Sequence, residues 1–582
     1  MTIPARLQAL RNKMRACGID VYVVPSADFH QSEYVGEYFK AREFISGFTG
    51  SAGVALITLD EARLWTDGRY FIQAEAQLRD TGYKLMKMGE TGVPGLDEYL
   101  ESVLKPGDVV AFDGRTISVD EGNRYYDIAK KTGAKIGYEI DLIGEIWTER
   151  PEMASEPAFE LGLEYTGEST ASKLERIRRE MKRIGAEYHA VTSLDDICWI
   201  LNIRGNDITY FPLVLAYSVI SMESMELYID EKKLDEKIRA RLAADGIRLH
   251  PYNDIYEEIK KLPEGVAILI DPERFNYALY NSIPKGIKKI EGMNPSVLMK
   301  AAKNPIEIEN IRKAQIKDSI AHIKFMRWLK TNIDTETITE LSAIDKLEEF
   351  RKEQGNYIGP SFDPISAYGE HAAIIHYAPT IESNARLQEG NFLLTDTGAG
   401  YYEGSTDITR TYALGDVPKE FKKDFTLVAT SNLTLANAKF TQDSTGADLD
   451  AIARKVLLEH GLNYNHGTGH GVGYLLNIHE DPVRFSPKGS RPLFENLVIT
   501  DEPGVYFEGS HGIRLENELL CHNGHFEILT FIPFDLDAID AEMMKESEKQ
   551  MLNDYHKKVL DTMSPYLNAE EVEWLKFYTR EI

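Results

Sequence analysis

The chain contains a copy of part of itself. LRNKMRACGIDVYVVPSAD at 10–28 aligns without a gap on IRREMKRIGAEYHAVTSLD at 177–195, placing Arg11 on Arg178, Met14 on Met181, Gly18 on Gly185, Ser26 on Ser193 and Asp28 on Asp195. In each copy apolar residues recur at helical spacing up to the glycine, and the apolar run that follows reads as a buried strand. A helix that stops at glycine and feeds a buried strand is part of an α/β layer, so two copies predict two related α/β domains. They are expected at about 1–155 and 156–302, joined through the acidic, proline-containing stretch TERPEMASEPAFE after Trp147, which has a linker composition. The first helix of the chain should pack through Leu7, Leu10 and Met14.

From Lys303 the pattern changes. NPIEIENIRKAQIKDSIAHIKFMRWLK carries apolar residues at helical spacing behind an Asn-Pro start and predicts a long amphipathic helix. Between about 357 and 535 come short β-rich runs (NFLLTDTGAG, TRTYALG, LVITDEPGVYF, LLCHNGHFEILTFIPF), with helical stretches at about 418–439 and 446–461 between them. Helices interspersed with such runs predict an α+β domain over 303–535 rather than a doubly wound sheet. The tail, 536–582, reads as a helical extension that packs through Trp574 and Tyr578. The expected fold class is therefore α/β + α+β.

Composition narrows the function. Acidic side chains number 93 against 66 basic ones, a net charge of -27. Such a chain repels phosphate backbones and anionic membranes, which argues against nucleic acid as a partner. Carboxylates in this number also suit hard, oxygen-seeking cations, although most of them belong to solvated surface. Cys17, Cys198 and Cys521 lie far apart and form no CxxC pair, so neither a disulfide framework nor a thiolate zinc site is expected. The N-terminal stretch lacks the apolar run of a signal peptide, and no segment is apolar enough to span a membrane. These features predict a cytoplasmic enzyme.

Chemistry concentrates in the third region. Nine of the fourteen histidines lie between His371 and His525. Asp396 ends an apolar run in LLTDTGAGYYEG, and Asp407 stands eleven residues on in STDITRTY. A strand–turn–strand of that length can bring both carboxylates into one pocket, though an aspartate at a strand end is most often a turn-former. HGTGHGVG at 466–473 is more telling. Two histidines among four glycines cannot be a packing motif, because glycine has no side chain to pack; it lets backbones approach and lets imidazoles project. His479 follows in NIHED, Glu502 in TDEPGVYF, and Arg514 and Glu516 in GIRLENEL, read as one alternating strand. One imidazole and four carboxylates are what a pair of divalent cations needs, and carboxylates can bridge two metals.

The chain resembles the long, three-domain form of aminopeptidase P, the Xaa-Pro aminopeptidases of the pita-bread metallopeptidase family. The resemblance rests on HQSEY (30–34), FISGFTGSAG (44–53), WTDGRYFIQA (65–74), IWTERPE (146–152) and SLDDICWILNIRG (193–205) in the first half. In the second it rests on AIIHYAP (373–379), TDTGAGY, TDITRT, HGTGHGVG, NIHE, TDEPG and RLENE, in the family order. It implies two creatinase-like N-terminal domains, a pita-bread catalytic domain and a helical C-terminal extension. It implies a site of two metal ions, manganese by family habit, with Asp396 on one, His470 and Glu502 on the other, and Asp407 and Glu516 bridging. A hydroxide shared by the metals would attack the peptide carbonyl, and Glu502 would relay the proton. His376 and His479 would hydrogen-bond substrate and oxyanion, His466 would line the proline subsite, and Arg514 would orient Glu516 and assist substrate binding. The implied substrates are peptides with proline second, and the implied assembly is a homodimer.

Three other readings compete: a prolidase restricted to Xaa-Pro dipeptides, a catalytically retired binding module on the same fold, and a metal-free creatinase-like hydrolase. The complete set Asp396, Asp407, His470, Glu502 and Glu516 with His376 and His479 speaks against the last two.

Overall fold

A computed structural model describes the whole chain, residues 1–582. It divides into two compact units, 1–161 with 168–297, and 162–167 with 298–582.

Within the first unit the repeat in sequence is a repeat in space. Helix Ile3–Cys17 ends at Gly18 (φ 66°) and helix Thr170–Ile184 at Gly185 (φ 83°). This left-handed cap is open to glycine without strain, and each glycine turns the chain into a buried strand, Val21–Pro25 or Tyr188–Val191. Leu7, Leu10 and Met14 form the buried face of the first helix, and Leu174, Ile177 and Met181 occupy the same positions in the second. Strand Val21–Pro25 lies between an antiparallel neighbour, Val54–Thr58, and a parallel one, Val109–Phe112. Strand Tyr188–Val191 likewise lies between antiparallel Ala216–Ser221 and parallel Ala267–Ile270. Both sheets have six strands, and they share one order and one sequence of strand directions. Buried polar contacts tie the two halves: the His30 ring meets the Thr192 carbonyl at 2.8 Å and the Tyr252 hydroxyl at 2.6 Å, and Asn276 Nδ2 donates to the Phe29 carbonyl at 3.0 Å.

The second unit opens on helix Pro305–Asn332. Asn304 Oδ1 accepts from the amides of Ile306 and Glu307, both at 3.0 Å, and Glu307 Oε2 accepts from the Asn304 amide at 2.9 Å. Such a cap is worth about 1 kcal/mol. The helices expected at 418–439 and 446–461 run over Lys419–Ala436 and Gly446–Leu458. The second stops early because the chain turns at Gly461, at φ 75°.

Three antiparallel assemblies carry the site. Ile365–Tyr368, Asn391–Thr397 and Ile408–Leu414 form one sheet, and Gly504–Phe507 pairs with His511–Arg514 in a hairpin. The third has the order Glu480–Phe485, Gly469–Gly471, Val498–Asp501, Asn517–His522, His525–Ile528. Helix Lys419–Ala436 packs Phe425, Val428 and Leu433 with Phe392, Ala413, Val505 and Ile513. Helix Pro305–Asn332 packs Phe325, Met326 and Leu329 with Leu393, Tyr412 and Leu414. Each buried Phe, Leu, Val, Ile or Met among them contributes about 1.5–3 kcal/mol. The tail forms helices Glu546–Met563 and Ala569–Tyr578, whose Leu552, Val559, Met563 and Leu575 join the core of helix Lys419–Ala436.

One expectation needs correction. Arg514 and Glu516 do not share a strand: the hairpin strand ends at Arg514, and the next strand begins at Asn517. The chain changes sheets over Leu515 and Glu516, so the ladder is interrupted there.

Candidate metal centre

Asp396 sits next to the end of its strand, opposite Thr409. From there the chain makes a small excursion, Ala399–Tyr401 paired with Gly404–Ser405, and returns to Asp407 just ahead of strand Ile408–Leu414. The second carboxylate is thus brought back beside the first. His470 is the middle residue of strand Gly469–Gly471. A Cβ on Gly469 would lie 1.9 Å from the Thr500 carbonyl oxygen, and one on Gly471 2.5 Å from that of Glu480. Only glycine on either side lets this strand slot between its neighbours with His470 as its one large side chain. Glu502 leaves the adjacent strand with its amide donating to the Thr468 carbonyl at 2.8 Å. Glu516, in the crossover between sheets, donates its amide to the Thr409 carbonyl at 3.0 Å.

These five side chains converge. Asp396, Asp407 and Glu516 offer ligand atoms within 4.8 Å of one another, as do His470, Glu502 and Glu516, and Asp407, His470 and His479. The first two groups share Glu516, and Asp407 links the first group to His470, with Oδ2 3.4 Å from His470 Nε2. Glu502 Oε1 is 3.9 Å from the same nitrogen. The His479 ring stands edge-on to the His470 ring at 4.2 Å.

Electrostatically the cluster lacks positive charge. Burial, then repulsion from Asp407 and Asp396 working against the Arg514 charge, pushes Glu502 up to about 8. Burial and the neighbouring carboxylates raise Glu516 well above the usual range, and burial raises Asp396 even beside Arg514. His470 is held below its ordinary value by burial and then by His479. Four carboxylates around one guanidinium, with an imidazole held neutral, are a donor set suited to divalent cations. Asp396 Oδ1 is buried with no hydrogen-bond partner, a lone pair left for a ligand. The residues fit two such ions.

The surroundings sort the other candidates. Arg514 was expected to orient Glu516; it binds Asp396 instead, Nε and Nη2 both donating to Oδ2, at 3.1 and 2.5 Å. Its position at the end of the hairpin strand, before the chain changes sheets, aims it there. Glu516 Oε2 accepts from the Thr409 hydroxyl at 2.8 Å. His466 meets the Tyr506 hydroxyl through Nε2 at 2.8 Å and lies 4.0 Å from Glu502 through Nδ1. His376 follows Ile375, whose carbonyl accepts from Arg514 Nη2 at 3.4 Å. Its loop is held from behind by buried Glu340, which accepts from the Tyr368 and Ala385 amides and the Tyr377 hydroxyl and meets the His371 ring at 2.8 Å. His371 is thus one of the anchors of this loop.

Three contributors escaped the sequence reading. Tyr506 joins Arg514 (Nη1, 2.7 Å) to His466; its only signal was its place in EPGVY. Thr409 supports Glu516, and buried Glu518 accepts the Asp407 amide at 2.7 Å. Glu518 stands two residues beyond Glu516, an acidic residue on a buried strand, which was a usable signal.

Residues 309–523 match metallopeptidase family M24, and 524–582 the C-terminal region of that family. Residues 6–140 and 149–307 each match a creatinase/prolidase N-terminal domain. Aminopeptidase P1 of Arabidopsis thaliana is 36% identical over 641 aligned positions, covering 99% of each chain. The crystal structure of X-prolyl aminopeptidase from Caenorhabditis elegans, described as a cytosolic enzyme with a di-nuclear active site, is 35% identical with a TM-score of 0.96 over 100% of both chains. Xaa-Pro dipeptidase from Bacillus anthracis shares the fold, with a TM-score of 0.53 and 24% identity, but matches 63% of this chain while 99% of its own is covered.

Proposed function

Because the chain belongs to metallopeptidase family M24, as a full-length relative of the aminopeptidase P enzymes, we propose that it removes the first residue from peptides with proline second. The observation that carries this reading is the convergence of Asp396, Asp407, His470, Glu502 and Glu516 into ligand groups that overlap at Glu516 and Asp407. Asp396 would hold one cation, His470 and Glu502 the other, with Asp407 and Glu516 between them. Bound there, two divalent cations lower the pKa of water and polarise the scissile carbonyl.

The chain's own groups do the rest. Glu502 takes the proton from the attacking water and returns it to the proline nitrogen, which leaves as a secondary amine. His479 and His376 donate to the substrate and to the carbonyl oxygen as it gains charge, an interaction that strengthens only towards the transition state. His466, held by Tyr506, lines the side on which proline sits. Arg514 keeps Asp396 in place and leaves Oδ1 for ligation. A proline nitrogen carries no N–H, so selection for proline must come from shape and amide geometry.

Manganese as the metal, a homodimeric state and a cytosolic setting belong to the same reading and are supported by the resemblance of the whole chain to that family. No helix is long and apolar enough to cross a membrane. Hydrolysis of Arg-Pro-Pro and of Gly-Pro should be assayed on chelator-stripped protein with and without added manganese. Release of arginine from the tripeptide, restored best by manganese, is expected. Cleavage of Gly-Pro alone would make the chain a dipeptidase, and full activity without metal would overturn the assignment. Sedimentation equilibrium tests the dimer.

A further inference from the structure

Helix Glu546–Met563 of the tail reaches the metal site through a buried polar chain. Arg410 is fully buried on the strand that follows Asp407. Its acceptors are backbone carbonyls and neutral side chains. Nη1 donates to the carbonyls of Glu516 and, at 2.9 Å, Thr409; Nη2 donates to Asn517 Oδ1 at 2.8 Å, the Ile532 carbonyl at 2.9 Å and the Tyr555 hydroxyl at 2.9 Å. Tyr555 lies on helix Glu546–Met563 and donates to the Ile532 carbonyl at 2.6 Å. The chain continues beyond Arg410. Asn517 Nδ2 donates to Asn432 Oδ1 at 3.0 Å, and Asn432 Nδ2 donates to the carbonyls of Asp501 at 2.7 Å and Leu515 at 3.3 Å. Those carbonyls belong to the residues immediately before Glu502 and Glu516.

A buried guanidinium with no carboxylate partner is costly, and a hydrophobic replacement would ordinarily be tolerated better. Its planar fork can hold several carbonyls at fixed angles at once, which no apolar side chain can do. Besides those of Thr409 and Ile532, the carbonyls it holds, directly and through Asn517 and Asn432, are those of Glu516 and of the residues preceding both Glu516 and Glu502. The site demands such fixation, because Glu516 sits in a crossover between sheets where no strand ladder holds it.

We propose that Tyr555 is a positioning residue for the metal site, acting through Arg410, Asn517 and Asn432 on the backbone that carries Glu516 and Glu502. The C-terminal region then completes the metal centre without touching it. This inference rests on the ligand assignment above.

The test is manganese titration by calorimetry of stripped full-length protein, comparing wild type, Tyr555→Phe and Val559→Ala. Val559 is fully buried on the same helix, packs in the same core as Tyr555 and has no polar side-chain atom, so its truncation reports loss of packing alone. Tyr555→Phe keeps the ring and removes the hydroxyl. It should raise the dissociation constant of the weaker manganese site about tenfold or more, the range seen when groups that orient ligands are removed. Its kcat should recover as manganese is raised, with KM for Arg-Pro-Pro unchanged. Val559→Ala should lower the melting temperature at least as far and leave the manganese constants within twofold of wild type. Unchanged manganese affinity in Tyr555→Phe, or equal weakening in Val559→Ala, overturns the proposal and leaves the helix as packing. Fewer than two manganese ions on the wild type overturns the ligand assignment itself, and this inference with it.

Discussion

Arg514 grips a single oxygen of Asp396 with two nitrogens, Nε at 3.1 Å and Nη2 at 2.5 Å, while the other oxygen is buried without a hydrogen-bond partner. One arm of the carboxylate is fixed and the other is presented. Lysine at this position would keep the charge and lose the fork. Arg514→Lys is therefore expected to weaken manganese binding about 10–100-fold while circular dichroism stays native. Calorimetry on the stripped variant decides; wild-type affinity would show that the fork is irrelevant to ligation.

Asp407→Asn keeps size and removes a charge between the two ligand groups. Two cations at short range would be under-neutralised, and one should leave. Elemental analysis is expected to find fewer than two ions per chain and hydrolysis to be lost, with far-UV circular dichroism unchanged. An active variant with two ions bound would remove Asp407 from the ligand set.

His479 lies within ligand reach of Asp407 and His470, so its role as substrate donor must be separated from a role as ligand. His479→Ala should keep both ions and native stability, bind an Xaa-Pro dipeptide, and lose about 10²–10³ in kcat, or roughly 3–4 kcal/mol. If one ion is lost instead, His479 is a ligand. If kcat falls less than tenfold with both ions present, His376 becomes the better oxyanion donor.

In the first unit, His30 is a pH probe that contacts none of the candidate ligands through its ring hydrogen bonds. The Thr192 carbonyl can only accept, so Nδ1 carries the proton and Nε2 accepts from the Tyr252 hydroxyl. Burial pushes this histidine down to about 4, against about 6.5 in an unfolded chain. The unfolded state therefore takes up its proton first. The stability contributed by neutral His30 is complete above the unfolded value, falls as pH drops from about 6.5 towards 4, and levels off below that. At pH 5 the loss is about 2 kcal/mol. Urea unfolding at pH 7 and pH 5 should show a smaller acid-induced drop for His30→Asn than for wild type; equal drops would refute this.

Much of this was legible in the sequence, for reasons that can be named. Gly18 and Gly185 announced their helix ends because a left-handed cap requires glycine in either copy. HGTGHGVG announced His470 because Gly469 and Gly471 have no space for a side chain. What stayed hidden depends on contacts between segments far apart. Arg514 turned to Asp396 rather than Glu516 because the chain switches sheets at Leu515, a break that no local pattern records. Thr409 and Glu340 act through partners dozens of residues away, and Tyr506 joins one eight residues on to one forty residues back, so ordinary spacing offers no sign of them. Helix termini at 436 and 458 differed by a few residues because fraying and local turns, not periodicity, decide them.

The candidate ligands run from Asp396 to Glu516, drawn from the end of a central strand, a returning excursion, a glycine-flanked strand and a crossover between sheets. Each cation held among them would be a cross-link between distant parts of the chain, formed only once those parts have met. Such a link stabilises the native state alone, because the denatured chain has no equivalent cage to offer. Metal supply then becomes a variable of folding. A hundredfold excess of free cation over its dissociation constant adds about 2.7 kcal/mol to the native state for each site, comparable to a substantial share of the stability of an ordinary domain. The lifetime of this enzyme in a cell would follow the divalent-cation pool that also switches on its chemistry.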